Sequence, residues 1–328
     1  MKAIVIEGNG GPKAALVFQD VPAPTPSAQD LLVAVRCAAV NRADLRRAAS
    51  HFAASDQKRQ AAIAGVEMAG EVTGMGAEVR GFAIGDRVMA MTGGAYAEQV
   101  CIDHRLALPV PDGFSWQEAA ATPISFITAH DALVTAGQLQ QSQTVLVQGG
   151  STGAGIATVQ IARLLGVGKI FATAGRPDKL AKIRALGCDV ALNYREDDVV
   201  AEVRRNTSGI GVDLVIDIVG GSAAQVNIDA LAIRGRIVCL GRVAGLEATI
   251  NLDEFSRKRA CMIGVTFRTR SLDERIEAVR RFSRDLLAAL ADRRIRPIVD
   301  SEFPLEEAAR AQEHVRANHH FGKVLLRV

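Results

Sequence analysis

Apolar positions follow two regimes along the chain. Over residues 1 to about 120 they come in short runs broken by turn residues. Lys2–Glu7, Leu31–Ala39, Ala69–Met75, Arg87–Ala90 and Gln99–Ile102 have the length and composition of strands. Pro22, Pro24 and Pro26 predict an extended connection, and Gly74, Gly76, Gly81, Gly85, Gly93 and Gly94 predict tight turns. Residues 42–60, polar and alanine-rich, predict one helix and a loop. From about 121 to 270 the pattern alternates strand and helix. Helices are expected over Asp178–Leu186, Glu196–Asn206 and Ala223–Ala232, and strands over Val190–Asn193, Val212–Val219, Arg236–Leu240 and Cys261–Phe267. Continuous apolar strands such as Leu214–Val219 suit a parallel sheet covered on both faces. A long charged amphipathic helix over 271–294 follows. Strand Pro297–Val299, helix Glu306–Ala317 and strand Lys323–Val328 close the chain, and these last two strands are expected to rejoin the N-terminal ones.

Composition narrows the class. With 328 residues, about two domains are expected. The net charge is only +3, and no basic run is interleaved with aromatics, which argues against nucleic acid as a partner. No apolar stretch reaches membrane-spanning length. Cys37, Cys101, Cys188, Cys239 and Cys261 are scattered and never spaced C-x-x-C, which disfavours a disulfide framework or a cysteine-rich zinc site. The N-terminus reads as a strand and lacks a signal-peptide core, so a cytoplasmic location is expected.

The chemistry concentrates in residues 144–179. An apolar run, Val145-Leu-Val147, enters a glycine-rich turn, Gly150-Ser151-Thr152-Gly153-Ala154-Gly155. An amphipathic helix and a second apolar run, Ile170-Phe-Ala172, follow. Glycines let backbone approach a pyrophosphate closely, and a helix N-terminus offers unpaired N–H groups and a positive dipole end. The spacing is G-x-x-G-x-G, so its strand–turn–helix context carries the dinucleotide reading. The second strand continues Thr173-Ala174-Gly175-Arg176 without the acid that would accept a ribose 2′-OH. Arg176 and Lys179 stand where a 2′-phosphate would lie, so NADPH is expected over NADH.

Motifs distributed along nearly the whole chain make it resemble a medium-chain dehydrogenase/reductase of the zinc-independent, zeta-crystallin-like quinone oxidoreductase branch. They are Asn41-Arg-Ala-Asp44, Gly65-Val-Glu67-Met-Ala-Gly70-Glu71, Gly85-Asp-Arg-Val88, Gly94-Ala-Tyr96-Ala-Glu98, residues 121–129, Asn193-Tyr194-Arg195, Gly235–Gly241 and Phe321-Gly-Lys323-Val. The resemblance implies an α/β chain. A Rossmann-type doubly wound parallel sheet would occupy 123–294. A GroES-like irregular β-barrel domain would be built from 1–122 and 295–328.

The resemblance also implies chemistry. Zinc-dependent relatives place a Cys near Asn41 and a His-Glu pair at Val66-Glu67; Asn41 and Val66 cannot be ligands, so no metal is expected. Glu67 is expected to be a structural carboxylate, paired with an Arg or a backbone amide. The implied reaction passes a hydride to a quinone or other α,β-unsaturated carbonyl. Neutral donors would then steady the developing oxyanion. Asn41 is the leading candidate, with a helix cap as its alternative role, and Thr128, in a loop under the nicotinamide, is the second. Asp44 would hold Asn41 or accept from the cofactor ribose. Phe52 replaces the tyrosine that many relatives carry in the quinone pocket, with His51 as an alternative donor, which leaves quinone specificity open to bulkier enones. Tyr194 and Lys179 are assigned to the 2′-phosphate. Val219, Gly241, Arg242, Phe267 and Lys323 complete the expected cofactor contacts. The strand Cys261–Phe267 is expected to pair edge to edge in a homodimer. An enoyl-thioester reductase and a weakly catalytic NADPH-binding protein are the competing readings.

Overall fold

The computed structural model describes residues 1–7, 15–45 and 63–328. They divide into two compact units, Met1–Ile124 with Arg268–Val328, and Ser125–Phe267. The expected helix and loop over 42–60 lie outside the described residues from position 46 onward, as do His51 and Phe52.

The second unit holds a six-stranded, all-parallel sheet. Its order is Val190–Asn193, Lys169–Ala174, Thr144–Gln148, Val212–Asp217, Leu231–Cys239, Cys261–Gly264. In order along the chain within this unit, that reads 3-2-1-4-5-6, the doubly wound arrangement. The strand order reverses between Thr144–Gln148 and Val212–Asp217. There Leu214 registers with Val145 and Asp217 with Gln148. Ligands of such sheets bind beyond the carboxyl ends of the strands at this switch point. Leu146, Phe171, Val215, Ile228 and Ile237 belong to this unit's buried apolar core.

The first unit holds a seven-stranded sheet in which Asp30–Val40 is the hub. It pairs antiparallel with Glu67–Met75, Gln99–Asp103 and Lys323–Arg327. Val299–Pro304, which begins where the expected strand Pro297–Val299 ends, adds parallel to Lys323–Arg327, so the two C-terminal strands do rejoin the N-terminal ones. Lys2–Glu7 pairs with Ala15–Asp20, a strand not among those expected, none of whose residues is buried.

Three expectations change. The helix Leu272–Ala291, expected in the nucleotide-binding half, clusters with the first unit, where it packs on His104–Leu106 and Ala107–Pro109. Its start is fixed by a reciprocal Ser271/Glu274 cap. The helix Ala223–Ala230 ends earlier than its apolar pattern suggests, and the next strand begins at Leu231 rather than Arg236. The cause is a bulge: Val212 faces Leu231 but Leu214 faces Arg236, with Arg234 at φ +66° inside the insertion. The strand at Cys261 stops at Gly264, short of Phe267.

Candidate functional site

The glycine-rich turn joins the buried strand Thr144–Gln148 to the helix Gly153–Leu164. Thr152 caps that helix. Its Oγ1 accepts from the Gly155 amide at 3.0 Å and donates to the Gly149 carbonyl at 2.9 Å. The amides of Gly153 and Ala154 have no acceptor among the described residues. They and the positive end of the helix remain for an anion. Gly155 is needed for close packing: a Cβ there would stand 2.3 Å from the Gly149 carbonyl oxygen and 2.7 Å from Gly150 Cα. Ser151 is half-buried within the turn. This cradle and donor set fit a dinucleotide pyrophosphate. Thr173 differs from expectation. Its hydroxyl accepts from the Gly149 amide at 3.2 Å and donates to Gln148 Oε1 at 2.7 Å, so it holds the turn rather than offering a free hydroxyl.

The adjacent ends of Lys169–Ala174 and Val190–Asn193 bring Gly175, Arg176, Lys179 and Tyr194 together. Gly175 lets Tyr194 lie on the backbone; a Cβ there would sit 2.7 Å from the phenol oxygen. The Arg195 guanidinium stands 5.8 Å from the centroid of the Tyr194 ring. Arg176 occupies the N-cap position of the helix Pro177–Ala185 without a side-chain cap bond and pairs with Asp178 at 2.9 Å, both half-exposed. A 2′-phosphate would compete with Asp178, a carboxylate the sequence argument did not weigh. Lys179 is buried in the first turn of the same helix. On the other side of the switch point, Val219 and Gly241 are half-buried and Arg242 is exposed. The Gly241 amide donates to the Asp217 carbonyl at 3.1 Å, and the Ala244 amide donates to the Val219 carbonyl at 2.9 Å. Phe267 is buried. Thr128 is half-buried on the helix Pro123–His130, not in a loop. The apolar run from Pro123 continues as helix, and Thr128 lies inside it.

The first unit contains a second polar cluster, built at the ends of three paired strands. Glu67 and Lys323 form an ion pair of 2.7 Å whose side chains are 0 % and 6 % exposed. Such a pair survives burial only when its remaining valences are filled. Glu67 Oε1 accepts from the Ile124 amide at 2.6 Å, and Oε2 also accepts from Asn41 Nδ2 at 3.1 Å. Lys323 Nζ donates to Asn41 Oδ1 at 2.6 Å. The backbone amide expected at Glu67 is thus present, but the cation is Lys323 rather than an arginine. Lys323, expected among the cofactor contacts, is spent on this pair. Both Nδ2 hydrogens of Asn41 are used as well, because Nδ2 also donates to the Ala39 carbonyl at 3.1 Å.

Asp44 holds Asn41, through the backbone: its Oδ2 accepts from the Asn41 amide at 2.8 Å and from the Tyr96 hydroxyl at 2.9 Å. Burial pushes the Asp44 carboxyl up to about 6, against the pull of these donors and of Lys323. Burial first, and Asp44 second, keep the Tyr96 phenol protonated well beyond its usual range, so it remains a donor. An acid whose folded value lies above its unfolded 3.8 stabilises the fold fully below about pH 4 and loses that contribution as pH rises through 6. A carboxamide at this position keeps an acceptor without the charge. Asp44→Asn is therefore expected to gain stability over wild type by up to about 3 kcal/mol between pH 4 and 7. Urea unfolding of both proteins at several pH values checks this; a pH-independent difference would refute it.

Comparison with known proteins agrees with this architecture. Residues 27–112 match the alcohol dehydrogenase GroES-like domain, and residues 153–284 match the zinc-binding dehydrogenase domain. Quinone oxidoreductase of Rattus norvegicus is 28% identical, covering 99% of this chain and 97% of that protein. The quinone oxidoreductase of Thermus thermophilus, solved alone and in complex with NADPH, is 30% identical with a TM-score of 0.81, each chain fully covered. The chain belongs to the quinone oxidoreductase family of medium-chain dehydrogenase/reductases. A 301-residue alignment at 35% identity also relates this family member to erythronolide synthase EryA2 of Saccharopolyspora erythraea, covering 91% of this chain and 8% of that protein.

Within this quinone oxidoreductase relative, sequence reasoning overlooked Gln148, Asp217 and Asn227, which are buried beside the switch point. A signal existed: Gln148 and Asp217 are polar residues that end otherwise apolar strands at the ligand-binding edge. Among the described residues no three His, Cys, Asp or Glu side chains converge in a way that could hold a metal. None of the described helices is long and apolar enough to cross a membrane.

Proposed function

We propose that this protein is an NADPH-dependent oxidoreductase that reduces a quinone or another α,β-unsaturated carbonyl without zinc. The observation that carries the reading is the glycine cradle with two unpaired amides at a helix N-terminus, followed at the next strand ends by Gly175, Arg176, Lys179 and Tyr194. NADPH in the Thermus thermophilus relative supports the same cofactor here.

When bound, NADPH supplies the hydride. The turn at Gly150–Gly155 binds the pyrophosphate through Gly153 and Ala154. Arg176 exchanges Asp178 for the 2′-phosphate, with Lys179 and Tyr194 beside it. Asn41 is the leading candidate for the neutral donor to the substrate oxygen, and Thr128 is the second candidate. For Asn41 this means that the substrate oxygen displaces the Ala39 carbonyl as acceptor of one Nδ2 hydrogen while Lys323 holds its oxygen. A reduced quinone can take its proton from water, so no protein acid is required. The zinc-free reading rests on residue type: Asn41 and Val66 occupy places where zinc-dependent relatives carry ligands. The strand Cys261–Gly264 ends its sheet with Met262 exposed, and it is the edge on which a homodimer would form. The likeness to a stretch of erythronolide synthase favours a second substrate class, α,β-unsaturated thioesters.

Titration with NADPH and NADH followed by nicotinamide fluorescence, then addition of 9,10-phenanthrenequinone or a simple enone, tests the reading. Tighter NADPH binding and rapid oxidation on adding acceptor are expected. NADH preferred over NADPH refutes the role given to Arg176 and Lys179. Tight binding with no oxidation by quinone, enone or enoyl thioester refutes the reductase.

A further inference from the structure

Four polar side chains in the second unit, Thr173, Gln148, Asn227 and Asp217, are all buried, and they join into one chain of hydrogen bonds. Thr173 Oγ1 donates to Gln148 Oε1 at 2.7 Å, Gln148 Nε2 to Asn227 Oδ1 at 2.8 Å, and Asn227 Nδ2 to Asp217 Oδ2 at 2.9 Å. Every donor points the same way, toward the carboxylate. Both ends of the chain finish on main-chain amides of loops. At one end the Gly149 amide donates to Thr173 Oγ1 at 3.2 Å; at the other Asp217 Oδ1 accepts from the Val219 and Gly220 amides, each at 2.8 Å.

The route crosses the sheet at its switch point. Thr173, Gln148 and Asp217 lie on three neighbouring strands, the last two in direct register, and Asn227, from the helix Ala223–Ala230, spans the gap between them. Core positions of a parallel sheet are normally apolar. A fully satisfied buried network is costly to interrupt, because each member left without a partner remains desolvated. Gly149 opens the glycine-rich turn. Val219–Gly220 opens the loop on the far side, where Gly220 has φ +65° and bridges to Gly245.

We propose that Gln148, Asn227 and Asp217, with Thr173, are positioning residues that fix the glycine-rich turn and the Val219–Gly220 loop to each other. The two loops then receive the two halves of one dinucleotide as a single preorganised surface. The proposal rests on the NADPH reading for its ligand, but the coupling is a property of the unliganded protein.

The test uses the full chain carrying Asn227→Leu, with Gln148→Met as the second variant should the first not fold. Amide hydrogen exchange without nucleotide is measured first. Exchange at Gly149 and at Val219–Gly220 is expected to rise at least tenfold at both ends. Acceleration at one end only, or at neither, overturns the coupling. Binding of NADPH and of adenosine 2′-monophosphate, a probe of the Arg176 side alone, is measured next. NADPH is expected to weaken at least tenfold while the 2′-monophosphate changes less than twofold. Equal weakening of both would mark a general loss of structure and overturn the positioning role. Failure of the NADPH reading shows separately, as wild-type protein that binds neither nucleotide while the exchange result stands.

Discussion

Lys323→Met is expected to destabilise the first unit by about 3–5 kcal/mol, the usual result of leaving one buried charge without its partner. Glu67 would then be an anion with no exposure, held only by Asn41 and the Ile124 amide. Glu67→Leu should cost a similar amount, by stranding the ammonium. The two effects are not expected to add. With both charges gone no ion is buried, so the double variant should recover about 2 kcal/mol or more relative to the sum of the singles. Some loss remains, because Asn41 Oδ1 and the Ile124 amide lose partners. Calorimetric or urea unfolding of the four proteins gives the cycle. Strict additivity would show that the pair does not act as a unit.

Gly155→Ala should remove nucleotide binding while leaving the sheet intact. The added Cβ would stand 2.3 Å from the Gly149 carbonyl oxygen, so either the helix Gly153–Leu164 or the turn must shift. Thr152 ties the two together through the Gly155 amide and the Gly149 carbonyl, and the shift moves the Gly153 and Ala154 amides with it. A displacement near 1 Å is enough to misalign charge-assisted hydrogen bonds to a pyrophosphate. We expect the NADPH dissociation constant to rise at least about 100-fold, which corresponds to about 2.7 kcal/mol of lost binding. Nicotinamide fluorescence titration and far-UV circular dichroism on the same sample check it. Retained affinity would mean that the turn is not the pyrophosphate site.

The two polar clusters share a design and differ in their tolerance. The cluster at Asn41, Glu67 and Lys323 contains formal charges of both signs, so deleting a member leaves an uncompensated ion. The chain from Thr173 to Asp217 has one charge at its end and three neutral links, so deleting a link leaves dipoles. The first is therefore expected to govern stability and the second the placement of loops.

Much of the fold was legible in the chain. Alternating apolar strands and amphipathic helices over 121–270 left little choice but a parallel sheet with both faces covered, and the Gly150–Gly155 turn marked where a strand passes into a helix. These features are local: a strand, its turn and its helix lie within about 35 consecutive residues, and their hydropathy periods express directly which faces are buried. The side of the chain to which Leu272–Ala291 belongs was not legible, because an amphipathic helix states that one face is buried and not against what. The bulge at Arg234 was not legible either, since register depends on the partner strand.

The sequence by itself determined the fold class and the family, because each rests on residue types at short, ordered spacings. Only the tertiary structure decided that Lys323 meets Glu67 and Asn41 from 256 and 282 residues away, and that Gln148, Thr173, Asn227 and Asp217 form one chain. A buried polar side chain must find its partner in space, and the pairing of distant strands, not their spacing along the chain, brings that partner within about 3 Å.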